Sequence, residues 1–322
     1  MNYINNRFLL QKRPTGMPED NCWVMDSQKI TELQKQEILI KAEYLSIDPY
    51  MRGKMNDSIS YTPPLKIGEV MVGESVGTVI ESKSKNYAVG DLVTVHQGWQ
   101  TYIKTKDSDP SVLKVPESKL NSSVFLGTLG MPGRTAYFGL NYVGKPQPGE
   151  TLVVSAASGA VGGVVGQLGK LIGCEVIGIA GGPEKSKYVT EELKFDQCID
   201  YKNENVVEKL EKYCPNGIDI YFENVGGEIT KMVSKFLNKN ARVPICGFIS
   251  KYNSTNIAGE ETPFHVLGAL NPKPKHRFFV VTEWLNQFEK ATSILHEHVK
   301  NGDIKFRETI TPGFENAPQG LR

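Results

Sequence analysis

Cysteine is scarce in this chain of 322 residues: Cys22, Cys174, Cys198, Cys214 and Cys246 are odd in number and show no C-x-x-C spacing. That pattern gives neither a disulfide framework nor a thiolate cluster, and reduced thiols of a cytoplasmic protein are expected. Histidine is equally thin as a ligand source. His96, His265, His276, His296 and His298 contain no H-x-x-x-H pair, and only Cys22 and His96 fall in the first 120 residues. A four-ligand zinc site needs more than that, so no metal is expected. An excess of charge is missing too, with 37 basic against 36 acidic residues and a net charge of +1. This balance argues against a general electrostatic grip on nucleic acid or an anionic membrane. Long apolar runs are absent near the start, where Phe8, Leu9 and Leu10 fall short of a signal-peptide core. The 19 uncharged residues from Thr151 to Gly169 are diluted by five glycines, two serines and Gln167, which excludes a membrane span.

What remains is ordinary globular composition, 39% hydrophobic and 23% charged, at a length that suits two domains. Thr151 to Ser155 is a β-branched run fit for a buried strand, and Val161, Val164, Val165, Leu168 and Ile172 recur at helical spacing. The alternation continues with strands at 175–180, 197–200, 218–222, 242–248 and 277–281. Helices fall at 184–193, 204–213 and 229–237, and a long loop spans 250–276. Six strands with helical crossovers predict a doubly wound parallel sheet. The first 120 residues differ. Short runs such as 38–45, 76–79 and 92–95, punctuated by Gly, Pro and Asp, predict an all-β module. Trp284, Phe288, Ile294, Leu295 and Val299 predict one more amphipathic helix, ended by Asn301-Gly302.

Ala157-x-Gly159-x-x-Gly162 follows the first of the six strands and opens a helix, the dinucleotide fingerprint with Ala in the first glycine position. Gly159 lets the backbone approach a pyrophosphate and Gly162 lets helix and sheet pack closely. The amides of Ala160, Val161 and Gly162 face the anion with the helix dipole behind them. About 20 residues on, where an acid usually holds an NAD ribose, stands Gly181-Gly182. Lys185 and Tyr201 are placed to meet a 2′-phosphate instead, so NADPH is the expected cofactor; a merely solvated Lys185 is the rival reading.

Several ordered stretches carry a resemblance. Arg13-Pro14-x-Gly16-x-Pro18, Ile47 to Arg52, Leu126 to Leu140, Ala156 to Gly162, Glu223 to Gly227, Ile245-Cys246-Gly247-x-Ile249-Ser250-x-Tyr252-Asn253 and Gly313 to Pro318 span residues 13 to 318. Together they resemble the zinc-independent medium-chain dehydrogenase/reductases, in particular the alkenal and prostaglandin reductases. The resemblance implies a GroES-like β-rich catalytic domain over 1–120, a Rossmann NADPH-binding domain over 121–282, and a return to the catalytic domain over 283–322. It implies reduction of the carbon–carbon double bond of an enone or alkenal, and a homodimer. Members of the family continue beyond the Asn-Ala-Pro segment with a helix and a last strand, so a shortened C-terminus is expected.

Tyr252, after the fifth strand of the sheet, is the candidate donor to the enolate oxygen. Tyr50 is the candidate substrate-pocket residue. Asn224, Cys246, Phe279 and Val280 are candidates beside the nicotinamide, with a plain turn at Asn224 and sheet filling at Phe279 and Val280 as alternatives. Arg52 is open between a structural bond and the cofactor. Quinone reduction and non-catalytic NADPH binding are the competing functions.

Overall fold

The computed structural model describes residues 3–57, 63–255 and 259–322. Contacts divide the chain into two compact units. Met1–Leu126, Tyr252–Thr255 and Thr309–Arg322 form the first; Gly127–Lys251 and Asn256–Glu308 form the second.

The first unit is mainly β, as its punctuated apolar runs predict, with short helices added. β1 (Ile4–Leu10) and β2 (Trp23–Lys29) pair antiparallel. β3 (Glu37–Leu45), β4 (Ser75–Ser82), β5 (Leu92–Val95), β6 (Tyr102–Lys106) and β7 (Leu113–Lys114) form an antiparallel sheet in the order β6-β3-β4-β5-β7. Alternating residues of these strands, among them Ile38, Ile40, Val79, Val93 and Ile103, make one core. A second core gathers Phe8, Leu10, Trp23, Met51, Met55 and Trp99 under α1 (Tyr50–Lys54), and the last helix, Ala317–Leu321, adds Ala317 and Leu321 to it.

In the second unit α2 (Met131–Phe138) precedes the sheet of β8 (Thr151–Ser155), β9 (Glu175–Ala180), β10 (Gln197–Asp200), β11 (Ile218–Phe222), β12 (Leu237–Ile245) and β13 (Lys275–Phe278). All neighbours are parallel, in the order β10-β9-β8-β11-β12-β13. Every residue of β8 is buried, which is why this strand reads as a continuous apolar run without alternation. α3 (Gly162–Ile172), α4 (Pro183–Lys187), α5 (Val206–Tyr213), α6 (Gly227–Ser234), α7 (Pro263–Gly268) and α8 (Phe288–Asn301) follow in chain order. α3 lies very close to its neighbours: a Cβ at Gly166 would stand 1.8 Å from the Phe195 ring. Among the described residues no helix is long and apolar enough to cross a membrane.

The structure departs from the sequence reading at several points, and the domain bounds are among them: the second unit starts at Gly127 and Tyr252–Thr255 belongs to the first. β12 begins at Leu237 and ends at Ile245, earlier than expected at both ends, because its entry Leu237 pairs with Ile218 while the residues that follow stay polar. The loop expected over 250–276 contains α7, started by Pro263 behind Thr262. β13 stops at Phe278; Phe279 turns inward, its ring 6.1 Å from those of Phe222 and Trp284. The return to the first unit comes at Thr309 and not at 283, because α8 packs within the second unit. There Thr292 Oγ1 donates to the Leu129 carbonyl, and the Arg134 guanidinium lies 4.5 Å from the Phe288 ring centre.

Candidate cofactor and active site

Parallel strands place their carboxyl ends on one edge of the sheet. The chain leaves β8 toward β9 on one side and later returns to β11 on the other, so the loops after β8 and β11 flank the point where strand order reverses. Ligands of open α/β sheets bind there.

The first of these loops is built around one carbonyl. Ala156 adopts φ +51°, in the left-handed region, and its oxygen accepts the Gly159 N–H at 3.0 Å. A Cβ at Gly162 would lie 2.3 Å from the same oxygen, so only glycine fits. At Gly159 the distance would be 3.2 Å, and that residue faces solvent. Ala157 is fully buried and ties the turn to β9 through its N–H to the Ile179 carbonyl at 3.1 Å. Among the described residues the N–H groups of Ala160, Val161 and Gly162 donate to no backbone carbonyl. Three such donors at the positive end of an eleven-residue helix form a cradle of the kind that takes a diphosphate. This part of the chain fits a dinucleotide.

Gly181 and Gly182 follow β9. The Tyr201 ring covers Gly181, where a Cβ would meet Tyr201 Cε1 at 2.8 Å, and Tyr201 itself is 47% exposed. Lys185 is exposed in the first turn of α4. An acid does stand nearby, and the sequence reading passed over it. Asp200 at the end of β10 accepts from Asn203 Nδ2 and the Gly182 N–H, both at 2.7 Å, and from the Lys202 N–H at 3.1 Å. Those donors, Asn203 first, hold its carboxyl below the usual range, and they engage its oxygens in shaping the glycine turn.

The loop after β11 is organised by Glu223, also missed, which is fully buried. Its Oε1 accepts from the Val225 and Gly226 N–H groups at 2.8 and 3.0 Å and from Ser155 Oγ at 3.2 Å, and its Oε2 accepts from the Thr230 hydroxyl. Asn224 donates from Nδ2 to the Ser155 carbonyl at 2.7 Å and from its backbone to Ser155 Oγ at 2.9 Å. Its amide nitrogen therefore joins the end of β8 to the loop after β11. An acid placed directly after the strand Ile218–Phe222 and ahead of the Asn-Val-Gly-Gly turn was the available signal for Glu223. Beside it the Tyr221 hydroxyl is buried and held well above its ordinary range, by desolvation first and Glu223's charge second.

Cys246, after β12, is half-buried, and burial pushes its thiol up to about 12, so it is no nucleophile near neutral pH. Phe279 is 3% exposed and fills the space beside Gly139 and Phe222, which fits sheet filling better than contact with a ligand. The Val280 N–H caps toward Glu283 Oε1 at 2.8 Å.

The first unit carries the remaining candidates. The Tyr50 hydroxyl lies 2.9 Å from His96 Nε2, with the two rings stacked at 6.4 Å. Asp48 next to it is buried and accepts from Ser46 Oγ at 2.7 Å; burial, reinforced by Glu74, pushes its carboxyl up to about 6. Arg52 is buried and bonds Gly16, Asn56 and Asn253. Tyr252 follows the turn Ile249–Lys251 and belongs with Asn253 to the segment that packs in this unit. Among the described residues no group of three or more His, Cys, Asp and Glu is gathered as a metal would require.

Fold and cradle together define a two-unit dinucleotide-binding protein. Comparison with known families agrees: residues 6–113 match the N-terminal domain of oxidoreductase, and 160–285 match the model described as zinc-binding dehydrogenase. The chain is 43% identical over 318 residues to the NADPH-dependent curcumin reductase of Escherichia coli, covering 98% of this chain and 92% of that protein. It is 39% identical over 313 residues to rabbit (Oryctolagus cuniculus) prostaglandin reductase 1, covering 96% and 86%. The crystal structure of CurA from Vibrio vulnificus in complex with NADPH superposes with a TM-score of 0.91 at 41% identity, over 98% of this chain and 94% of that one. The chain belongs to the medium-chain dehydrogenase/reductases, in their zinc-independent alkenal/prostaglandin reductase group.

Proposed function

We propose that the protein is an NADPH-dependent reductase of the carbon–carbon double bond of α,β-unsaturated ketones or aldehydes. The observation that carries the reading is the turn Ala156–Gly162, with its undonated N–H groups at the strand-order reversal, in a chain 43% identical to an NADPH-dependent curcumin reductase. The cofactor is NADPH. Ala157, Gly159, Ala160, Val161 and Gly162 hold its diphosphate, and Gly181, Lys185 and Tyr201 take the 2′-phosphate. Asn224, Cys246 and Val280 border the nicotinamide end from the neighbouring strand ends.

The chemistry NADPH supplies when bound is a hydride for the β-carbon of the substrate. The chain's own task is the charge that then develops on the carbonyl oxygen. Tyr252 donates its hydroxyl hydrogen bond to that oxygen, an interaction stronger in the transition state than in the bound enone. Tyr50, its hydroxyl held by His96, lines the substrate site. The working form is a homodimer.

NADPH oxidation followed by absorbance, with an enone, an alkenal and a quinone side by side, tests the substrate class. Turnover of the enone and alkenal ahead of the quinone is expected; turnover of the quinone alone would overturn the reading. Tyr252→Phe removes the hydroxyl and keeps the ring. Turnover should fall by about 10²-fold to 10³-fold, with NADPH affinity and melting temperature unchanged. Unchanged turnover, measured where hydride transfer limits the rate, removes Tyr252 from the chemistry.

A further inference from the structure

Arg52 is 4% exposed, yet among the described residues its guanidinium meets no carboxylate. Nε donates to the Gly16 carbonyl at 3.2 Å and to Asn253 Oδ1 at 2.9 Å, Nη2 donates to the same carbonyl at 2.6 Å, and Nη1 donates to Asn56 Oδ1 at 2.7 Å. A buried cation met only by neutral acceptors is a poor device for stability, since its desolvation goes uncompensated by an opposite charge. What the bonds accomplish is geometric. They draw together the loop at Gly16, the end of α1 at Asn56, and a loop 201 positions further along the chain. The contact is reinforced on the far side, where Asn253 Nδ2 reaches Met17 Sδ at 3.4 Å.

Asn253 is the residue next to Tyr252. We infer that Arg52 is a positioning residue that, through Asn253, fixes the loop from which Tyr252 presents its hydroxyl. The inference rests on the role given to Tyr252 above. The planar fork of an arginine serves three acceptors from one rigid group, which a lysine ammonium does not reproduce. A positive charge placed at the root of this loop also suits a site where negative charge develops during reaction.

Asn253 is exposed, so truncating it removes one bond from the clamp with little effect on packing. The test compares Asn253→Ala, Asn253→Asp, Arg52→Lys and Tyr252→Phe in the full chain. It uses amide hydrogen exchange over 249–255 without cofactor, melting temperature, and kcat and KM with an enone. Asn253→Ala and Arg52→Lys should speed exchange of the loop by about tenfold or more. They should also lower kcat by about 10-fold to 100-fold through misplacement of the donor. Asn253→Ala should leave KM for NADPH and melting temperature alone. Asn253→Asp sets a carboxylate against the unpaired guanidinium and should restore both protection and most of kcat. Tyr252→Phe should lower kcat with exchange unaltered.

Unchanged exchange in Asn253→Ala overturns the clamp. Faster exchange with kcat intact, while Tyr252→Phe is impaired, overturns the positioning role, as does a kcat that falls only in step with melting temperature. If Tyr252→Phe is fully active, the role of Tyr252 fails, and with it the positioning role, while exchange still decides whether the clamp exists.

Discussion

Asp48 is a buried carboxylate whose surroundings oppose its charge. Burial comes first and the charge of Glu74 adds to it, against the pull of the Ser46 hydroxyl, and the result is a group titrating at about 6. In the unfolded chain the same carboxyl titrates near its ordinary value, about 3.9. Between those values the folded state binds more protons than the unfolded one, so stability falls as pH rises through the window and stays reduced above it. The loss is about 3 kcal/mol at most, because each pH step of one between the two titration points is worth about 1.36 kcal/mol. Asp48→Asn keeps the shape and a partner for Ser46 and should erase most of this slope, leaving the variant more stable than the parent near neutral pH and similar to it in acid. Urea unfolding at both pH values checks it; equal slopes in the two proteins would mean that Asp48 ionises freely. Lys185 is the second residue to test. Exposed beside the Gly181-Gly182 turn, it should add one charge-assisted contact to a 2′-phosphate, so Lys185→Ala should weaken NADPH by about tenfold or more and spare NADH. Equal affinity of the parent for both cofactors would remove the argument. At this scale the sequence showed Ala157 to Gly162 because the constraint is local: a strand, a turn and a helix start within a dozen residues. Asp200 and Glu223 were not legible, since each matters through the backbone N–H groups it collects after folding. The bond from Asn224 to Ser155, 69 positions away, was not legible for the same reason.

The turn between β8 and α3 separates two uses of glycine. A Cβ at Gly162 would lie 2.3 Å from the Ala156 carbonyl oxygen, and backbone must move to admit it. At Gly159 the added atom would lie 3.2 Å from that oxygen, with solvent beyond. Gly162→Ala should therefore destabilise the apo protein by about 1 to 3 kcal/mol, the usual range for overpacking, and lose cofactor binding as a consequence. Gly159→Ala should leave the apo protein close to its parent in melting temperature while weakening NADPH by about tenfold or more, because the methyl occupies the approach of the diphosphate. Thermal melts with and without NADPH distinguish them. Equal destabilisation by both would show that Gly159 serves packing as well. The elements themselves were legible where burial covers nearly the whole strand: β8, β9 and β11 read as mainly apolar runs bounded by turns. Their parallel neighbours β12 and β13 were not bounded correctly. β12 enters through polar residues, Asn238 to Asn240, that no strand pattern selects, and β13 looks apolar through Val281 although the strand ends at Phe278 and the Phe279 ring packs with those of Phe222 and Trp284. α7 is a six-residue helix whose start signal is the Thr262-Pro263 pair, inside a loop with no helical period.

At the level of the whole molecule, the two-unit organisation was readable because an all-β pattern and a regular βα alternation obey different periods. The point of return at Thr309 was not readable, because α8 has an apolar face that either unit could take and only its packing against α2 decides. The same scale holds the question of assembly. β13 pairs with β12 on one side and is the last strand in the order of the sheet. Edge strands invite pairing with another chain unless blocked. Beside it Phe264, on α7, is 39% exposed, with its ring 6.2 Å from His276 and 6.5 Å from Phe278 of the edge strand. An edge and an adjoining aromatic surface suit an isologous contact, in which β13 of one copy meets β13 of another about a two-fold axis. Light scattering at micromolar concentration should then give twice the chain mass of 35.7 kDa. Phe264→Glu sets a charge on each side of the axis, facing its own copy, and should shift the population toward monomer while leaving the sheet intact by circular dichroism. A monomeric parent would overturn the dimer, and a dimer unaffected by Phe264→Glu would move the interface away from this edge.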